Sequence, residues 1–212
     1  MIEQGSPEWF AQRIGRVTAS RICDVVAKTR SGWGASRANY MAQIITERLT
    51  GRPTESYTNA AMQHGIDCEP QARAAYMRET LVLVTKAEFV PHPKIAMSGA
   101  SPDGYVGSDG LFEAKCPQTA THIETLLGQA VPAKYIAQMQ WQMACTGRAW
   151  VDFCSFDPRL PEPMQLYIQR VPRDNHFIGE TEALVIAFLA EVETKLVALK
   201  KRYPLVAEAV AA

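Results

Sequence analysis

The stretch SPDGYVGSDGLFEAKCP, from Ser101 to Pro117, constrains the fold more than any other part of the chain. Ser108-Asp109-Gly110 is a tight-turn signal with strand-like residues on both sides, so Asp103 to Pro117 reads as a β-hairpin. Pro117 has no N–H to give to a ladder and should end the second strand. Side chains on a strand alternate faces. Glu113 and Lys115 therefore share one face, and Ala114 points to the other. Pairing across the turn brings Asp103 beside Glu113.

The segments around the hairpin supply the rest of a sheet and its cover. LVLVTKAEFV (81–90) and PKIAMSGASPDGYV (93–106) read as strands, as do about 149–156 and 164–170, which the loop DPRLPEP joins. Helices are expected from about Gly5 to Ile14, Ser20 to Ala27, Asn59 to Glu79, Thr119 to Leu127 and Ala133 to Cys145. RSGWG (Arg30–Gly34) is a turn or mobile loop. Ser36 reads as the N-cap of a helix that Gly51 ends. Tyr40, Met41, Ile44, Ile45 and Leu49 recur within it at helical spacing. The last helix runs from about Asp174 to Arg202, and its stripe Phe177, Thr181, Leu184, Phe188, Val192 and Leu196 faces a core. The tail after Pro204 is expected to fray or to pack on a neighbour. Helices, a central mixed sheet and further helices on both faces make an α/β (α+β) three-layer domain.

Length and charge bound the function. The chain has 212 residues, 47% of them hydrophobic, which suits one domain with a real core. No run approaches 18 apolar residues, and MIEQGSPEWF lacks the pattern of a signal peptide, so a cytoplasmic protein with no membrane span is expected. The 22 basic and 22 acidic residues cancel, which excludes holding nucleic acid by bulk charge alone. A locally basic surface remains open. Residues 9–52 carry Arg13, Arg16, Arg21, Lys28, Arg30, Arg37, Arg48 and Arg52 against Asp24 and Glu47. Such an excess is either a binding face or a solvated face that balances acid elsewhere. Cys23, Cys68, Cys116, Cys145 and Cys154 form no C-x-x-C pair, so neither a zinc knuckle nor a disulfide framework is expected. Cys116 follows a lysine, but no Cys-His pairing accompanies it to make a nucleophile.

Asp103, Glu113 and Lys115 are the candidate chemistry. Two close carboxylates repel, and in a partly buried site one tends to stay protonated. A divalent cation removes that conflict, and oxygen-only ligands suit Mg²⁺ or Mn²⁺. A lysine beside the ion can position an attacking water or lower its pKa, while the ion stabilises charge growing on a phosphate. This points to phosphodiester hydrolysis. Taken alone, D-x9-E-x-K is short enough to recur by accident, and Glu-x-Lys is often a surface pair worth under ~1 kcal/mol. Glu69, in HGIDCEPQA, is a third carboxylate within possible reach, though a helical Glu is commonly solvated. Gln138 and Gln140 lie on an apolar helix, where each must find a partner, at the site or in the scaffold.

Five motifs in order resemble a known family. They are W-x3-R-x-G-x-x-T-A-S (Trp9 to Ser20), G-x3-E-P (Gly65 to Pro70), S-P-D-G (Ser101 to Gly104), E-x-K-C-P (Glu113 to Pro117) and Y-x2-Q-x-Q (Tyr135 to Gln140). Together they resemble the lambda-type phage exonucleases, or YqaJ-type viral recombinases, of the PD-(D/E)XK nuclease superfamily. The resemblance extends through Trp150–Arg159 to the last helix.

The resemblance implies a restriction-endonuclease-like core and a 5′-to-3′ exonuclease on linear double-stranded DNA. Such an enzyme releases mononucleotides and leaves a 3′ single-stranded tail. It implies that Asp103 and Glu113 hold the metals, Mg²⁺ with Mn²⁺ as substitute and two ions per site. The backbone carbonyl of Ala114 adds a ligand, and Glu69 supports the second ion through water. Lys115 would activate the water and Gln138 help to position it. Arg13, Thr18, Ser20 and Ser101 would hold the 5′-phosphate, which suits the hydroxyl and guanidinium donors present. Ser20 is also expected to cap the next helix, itself an anion site. Implied too are a ring-shaped homotrimer around DNA ends, and a phage single-strand annealing protein as partner in a bacterial host cytoplasm. On this reading residues 1–57 carry the end contacts, 58–171 the catalytic core and 172–212 a C-terminal helix and tail.

One position departs from the family pattern. Thr121 stands where a second arginine is expected, which puts dependence on a 5′-phosphate in question and makes His122 a substitute donor. A sequence-specific endonuclease on the same core would need a base-reading element, and no inserted domain offers one. A non-catalytic end-binding protein would have no chemical reason to keep Asp103, Glu113 and Lys115 together. A glycosidase built on the two carboxylates leaves Lys115 without a role.

Overall fold

The computed structural model describes residues 6–30, 32–54 and 60–204. From the N-terminal side, α1 (Pro7–Arg13) leads through β1 (Val17–Thr18) and a 3-10 turn at Ala19–Arg21 into α2 (Ile22–Val25). A small hairpin, β2 (Lys28–Thr29) and β3 (Gly32–Trp33), precedes α3 (Ala35–Thr50). α4 (Ala60–Thr80) is followed by the short strands β4 (Val84–Thr85), β5 (Val90–Pro91) and β6 (Ser98–Ala100). Then come β7 (Gly104–Val106), β8 (Gly110–Lys115), α5 (Thr119–Gly128), α6 (Ala133–Thr146), β9 (Trp150–Phe156), β10 (Leu166–Pro172) and α7 (Asn175–Arg202).

A mixed sheet in the order β10-β9-β8-β7-β4 forms the centre. β8 and β9 run parallel and the other pairs antiparallel. The central hairpin has the expected register: Gly104 lies opposite Phe112 and Val106 opposite Gly110. Asp103 and Glu113 are therefore the next pair out, where the ladder opens. Gly107 supplies the left-handed turn residue, with φ +54°. Trp150 lies across Gly110, where a Cβ would sit 2.1 Å from its ring. Glycine is thus required for β8 and β9 to approach in this register.

β8 is covered on both sides, so its side chains from Leu111 to Ala114 are all buried. On one side Leu111 joins Val151, Phe153, Trp141 of α6 and Phe188 of α7. On the other, Phe112 and Ala114 join Ala72 and Tyr76 of α4. This is the expected α/β (α+β) layering, with a central mixed sheet flanked by helices. α7 begins at Asp174, whose side chain accepts from the N–H groups of His176 and Phe177. Its buried positions Ile178, Thr181, Val185, Phe188, Val192 and Leu196 follow the expected stripe, shifted from Phe177 and Leu184 to the adjacent residue. Gly51 ends α3 in the left-handed conformation, φ +64°, as expected.

Several local expectations are corrected. The two long strands over 81–106 are four short ones in two sheets, because β5 and β6 pair with β1 in a separate sheet, β1-β6-β5. Pro91 and Pro93 interrupt the segment, and Leu81, in the left-handed region at φ +58°, turns the chain out of α4. Gly32 and Trp33, within the stretch expected to be a turn or mobile loop, form β3 and pair with β2, Lys28 lying opposite Trp33. Gly34, not Ser36, caps α3. Ser20 is inside the 3-10 turn and does not cap α2, whose cap residue is Arg21. Gly5, Asn59 and the tail after Pro204 lie outside the described residues. Among the described residues no helix is long and apolar enough to cross a membrane.

Candidate active site

The open end of the β7–β8 ladder builds the site. The N–H of Ala114 donates to Asp103 Oδ2 at 2.8 Å, fixing that carboxylate against β8. Glu113, 1% exposed, accepts from three donors. Lys115 Nζ and Gln138 Nε2 each reach its Oε1 at 2.5 Å. Gln142 Nε2 reaches Oε2 at 2.6 Å. Gln138 and Gln142 stand one turn apart on α6, so one helical face presents both amides to the carboxylate.

The charges do not balance. Burial, then Glu113 and Glu69, push the Asp103 carboxyl well above its ordinary range; Lys115 and the Ala114 N–H act the other way. Burial works against charge on Lys115, but Glu113 and Asp103 outweigh it and raise its pKa. Lys115 is therefore an ammonium at neutral pH, a donor and a counter-charge. Glu69 approaches from α4. Arg73, one turn further on, bonds Glu69 Oε1 at 2.9 Å and the backbone oxygen of Asp103 at 2.8 Å with the same Nη2. That nitrogen ties the third carboxylate to the strand that carries the first.

A cavity of about 220 Å³ opens over this cluster. Asp103, Glu113, Lys115 and Gln138 form one wall. Trp9, Arg13, Ser20 and Ser101 form the facing one. Arg13 lies 4.1 Å over the Trp9 ring and donates to Ser101 Oγ at 2.8 Å. Burial lowers its pKa to about 10, partly offset by Tyr40 and Glu47, so it stays charged at neutral pH. The structure thus brings together the residues expected from two separate motifs, carboxylates with lysine and arginine with hydroxyls.

Other expected residues fall elsewhere. Thr18 is buried beside Tyr40, whose hydroxyl accepts from its N–H, and does not line the cavity. His122 is corrected as a phosphate donor: it is fully buried, 2.7 Å from Ser155 Oγ and 2.9 Å from the carbonyl of Met164. Gln140 joins scaffold elements, donating to Pro172 O and accepting from the Asp174 N–H. Burial pushes the Cys116 thiol up to about 12, far from a thiolate. Part of the N-terminal basic excess is balanced internally. Arg37 makes a two-pronged pair with Glu191, Arg48 reaches Glu193 and Arg21 bonds Asp24.

Two residues escaped the sequence reading although their spacing was visible. Gln142 follows Gln138 by four residues and Arg73 follows Glu69 by four, which places each on its partner's helical face.

The donor set fits a hard divalent cation. Among the described residues no three His, Cys, Asp or Glu side chains converge as a ready cage. Mg²⁺ needs no cage: it keeps several waters and takes one or two carboxylates plus substrate phosphate oxygens. Asp103 and Glu113, short of positive charge at a cavity wall, are such a pair.

Residues 8–149 match the family model of the YqaJ-like viral recombinase domain, more than half of the chain. The chain belongs to this family. The YqaJ-like chain is also similar to an alkaline exonuclease from Laribacter hongkongensis, at 52% identity over 93% of this chain and 97% of that one, with a TM-score of 0.87. The crystal structure of that enzyme in complex with dAMP matches at 53% identity and a TM-score of 0.88, with the same coverage. A phage-related exonuclease from Haemophilus somnus shares the fold at 16% identity, covering 87% of this chain and 96% of that one with a TM-score of 0.71. No curated protein matches. The fold is the restriction-endonuclease-like one of the PD-(D/E)XK nucleases.

Proposed function

We propose that this YqaJ-like chain is a divalent-metal-dependent exonuclease. It degrades one strand of linear double-stranded DNA from the 5′ end, releases mononucleotides and leaves a 3′ single-stranded tail for recombination by strand annealing. One observation carries the reading: a single small cavity holds the carboxylate–lysine cluster and, facing it, an arginine with two hydroxyls. The relative solved with dAMP is named an exonuclease, and dAMP is a mononucleotide of the kind such an enzyme releases.

The roles follow from position. Asp103 and Glu113 would hold Mg²⁺, or Mn²⁺ in its place, with the Ala114 carbonyl and Glu69 completing a site for two ions. Such an ion, when bound, would supply a water of lowered pKa and neutralise charge on the phosphate. Lys115, as an ammonium, orients that water and adds positive charge where the oxyanion forms. Gln138 faces the cavity and can turn its amide from Glu113 toward the water. Arg13, Ser20 and Ser101 take the terminal phosphate, with Thr18 holding the turn behind them. At about 220 Å³ the cavity lies below the ~300–1,000 Å³ of pockets for whole drug-sized ligands, which suits one strand end. End recognition and hydrolysis then share one chamber, and the chain works as a single nuclease unit. We place it in a bacterial host cytoplasm as a ring-shaped homotrimer, in which three basic surfaces let a neutral chain hold a duplex. A phage single-strand annealing protein takes up the tail.

The test is digestion of a linear duplex labelled at one 5′ or one 3′ end, with Mg²⁺ and with EDTA, beside a circular control. The expected result is early release of the 5′ label as mononucleotide, retention of the 3′ label, an intact circle and no reaction in EDTA. A cut circle would make the protein an endonuclease on the same core. Inertness toward both substrates would leave an end-binding protein. Arg13→Ala should weaken preference for phosphorylated ends more than it slows hydrolysis once bound; equal behaviour on both ends would remove Arg13 from the phosphate pocket.

A further inference from the structure

We propose that Gln142 is a positioning residue of this site: it sets the Glu113 carboxylate from behind and so strengthens its hold on a divalent cation. The proposal rests on the reading of Asp103 and Glu113 as metal ligands.

The two oxygens of Glu113 keep different company. Oε1 accepts from Lys115 and Gln138, which both line the cavity and can turn toward water or phosphate. Oε2 accepts from Gln142, which is fully buried and lies outside the cavity lining. Three donors claim three of the roughly four lone-pair positions of the carboxylate. The cavity-facing donors are exchangeable, whereas the Gln142 bond persists whatever enters.

The far end of the amide supports this assignment. Gln142 Oε1 is buried and has no hydrogen-bond partner. A scaffold glutamine satisfies both ends, as Gln140 on the same helix does. Turning the Gln142 amide over would press its oxygen against Glu113 Oε2, acceptor against acceptor. The carboxylate charge therefore dictates the amide orientation, and the unpaired oxygen is the cost of that commitment. Groups that hold a metal-binding carboxylate in one orientation align it before the ion arrives, and their loss typically weakens metal affinity or activity by about 10- to 100-fold.

Mn²⁺ binding measured by electron paramagnetic resonance, apart from hydrolysis, tests the proposal in wild type, Gln142→Met and Gln142→Asn. Methionine keeps length and volume without a donor. Asparagine keeps a buried amide that is one methylene too short to reach. Thermal melting reports whether each is folded. Both variants should bind Mn²⁺ about 10-fold more weakly or worse. The Mn²⁺ needed for half-maximal hydrolysis should rise by a similar factor, with most of the wild-type turnover kept at saturation. Gln138→Met should show the opposite split, near-normal Mn²⁺ affinity and slow turnover. Wild-type Mn²⁺ affinity in a folded Gln142 variant, even one with a lowered melting temperature, overturns the proposal and leaves the metal reading standing. Wild-type protein that binds no Mn²⁺ overturns both.

Discussion

The two faces of the central sheet bury carboxylates and treat them in opposite ways. On the α4 face Asp152, on β9, is 4% exposed. Arg170 reaches its two oxygens with Nε at 2.8 Å and Nη2 at 2.9 Å, and the Tyr76 hydroxyl adds a bond at 2.7 Å. Arg170 is in turn stacked 3.4 Å over the Trp150 ring. One negative charge meets one positive charge, and both oxygens are satisfied. At the cavity on the α6 side, Asp103 and Glu113 share the single charge of Lys115. A carboxylate that serves the scaffold is neutralised within the fold, whereas a working pair is left short of positive charge for a cation and a substrate to supply. Asp152 and Glu113 are both buried and both hydrogen-bonded, so burial alone does not distinguish them; charge balance does.

The largest expected effect lies on the unbalanced side. Lys115→Ala removes the cation that bonds Glu113 and also lines the cavity. Single-turnover hydrolysis should fall by about 10³-fold, the scale of losing a preorganised transition-state donor. Mn²⁺ and duplex ends should still bind. Retained hydrolysis in this variant would mean that the lysine only balances charge, as Arg170 does. On the balanced side Asp152→Ala strips a counter-ion from Arg170 and a partner from Tyr76. Because Arg170 is more than half exposed, the cost should sit at the low end for broken buried pairs, about 3 kcal/mol in urea unfolding. Mn²⁺ affinity should not change. A large loss of metal binding would break the division between the faces.

This contrast was only half legible in the sequence. The Asp103–Glu113 pairing was readable because a tight turn and a two-residue period fix it within fifteen residues. The strands of 81–100 were not, since β5 pairs with β6, β6 with the distant β1 and β4 with β7, and local texture does not choose among those partners. Asp152 sits in an apolar run, WVDFCSF, and gave no sign that Arg170 and Tyr76 would enclose it. His122 looked available as a donor because nothing local says that Ser155 and Met164 would bury it. Arg13 and Ser101 could be linked to the carboxylates only through the family resemblance. They are 88 residues apart, and no local rule brings them within 2.8 Å.

Asp157, just after β9, extends the balanced class and gives it a pH signature. Burial works against its charge, but hydrogen bonds from Arg159 and Thr119 outweigh that and hold its pKa at about 2, below the ordinary 3.8. A depressed folded pKa contributes stability that is present above about pH 4 and lost as pH falls through about 2. The size is about 1–2 kcal/mol. Urea midpoints of wild type should therefore drop more steeply between pH 4 and pH 2 than those of Asp157→Asn. Parallel curves would remove Asp157 from the class.

The smallest effect is also the one that divides the two faces by sign. Asp103 is held near Glu113, which Lys115 pairs, and Glu69, which Arg73 pairs, and its raised pKa says that the folded state resists its charge. For an acid in that position the linkage runs opposite to Asp157: its contribution is present at low pH and lost as pH rises above the unfolded value. Asp103→Asn keeps an oxygen for the Ala114 N–H and deletes the repelling charge. In EDTA at neutral pH the variant should melt about 2–4 °C above wild type, roughly 1 kcal/mol for a chain of this size. Added Mn²⁺ should reverse the order, stabilising wild type by mass action and leaving the variant unmoved. Asp152→Asn should melt below wild type under both conditions. If Asp103→Asn also melts lower in EDTA, Asp103 is a scaffold carboxylate like Asp152, and charge imbalance ceases to mark the working face.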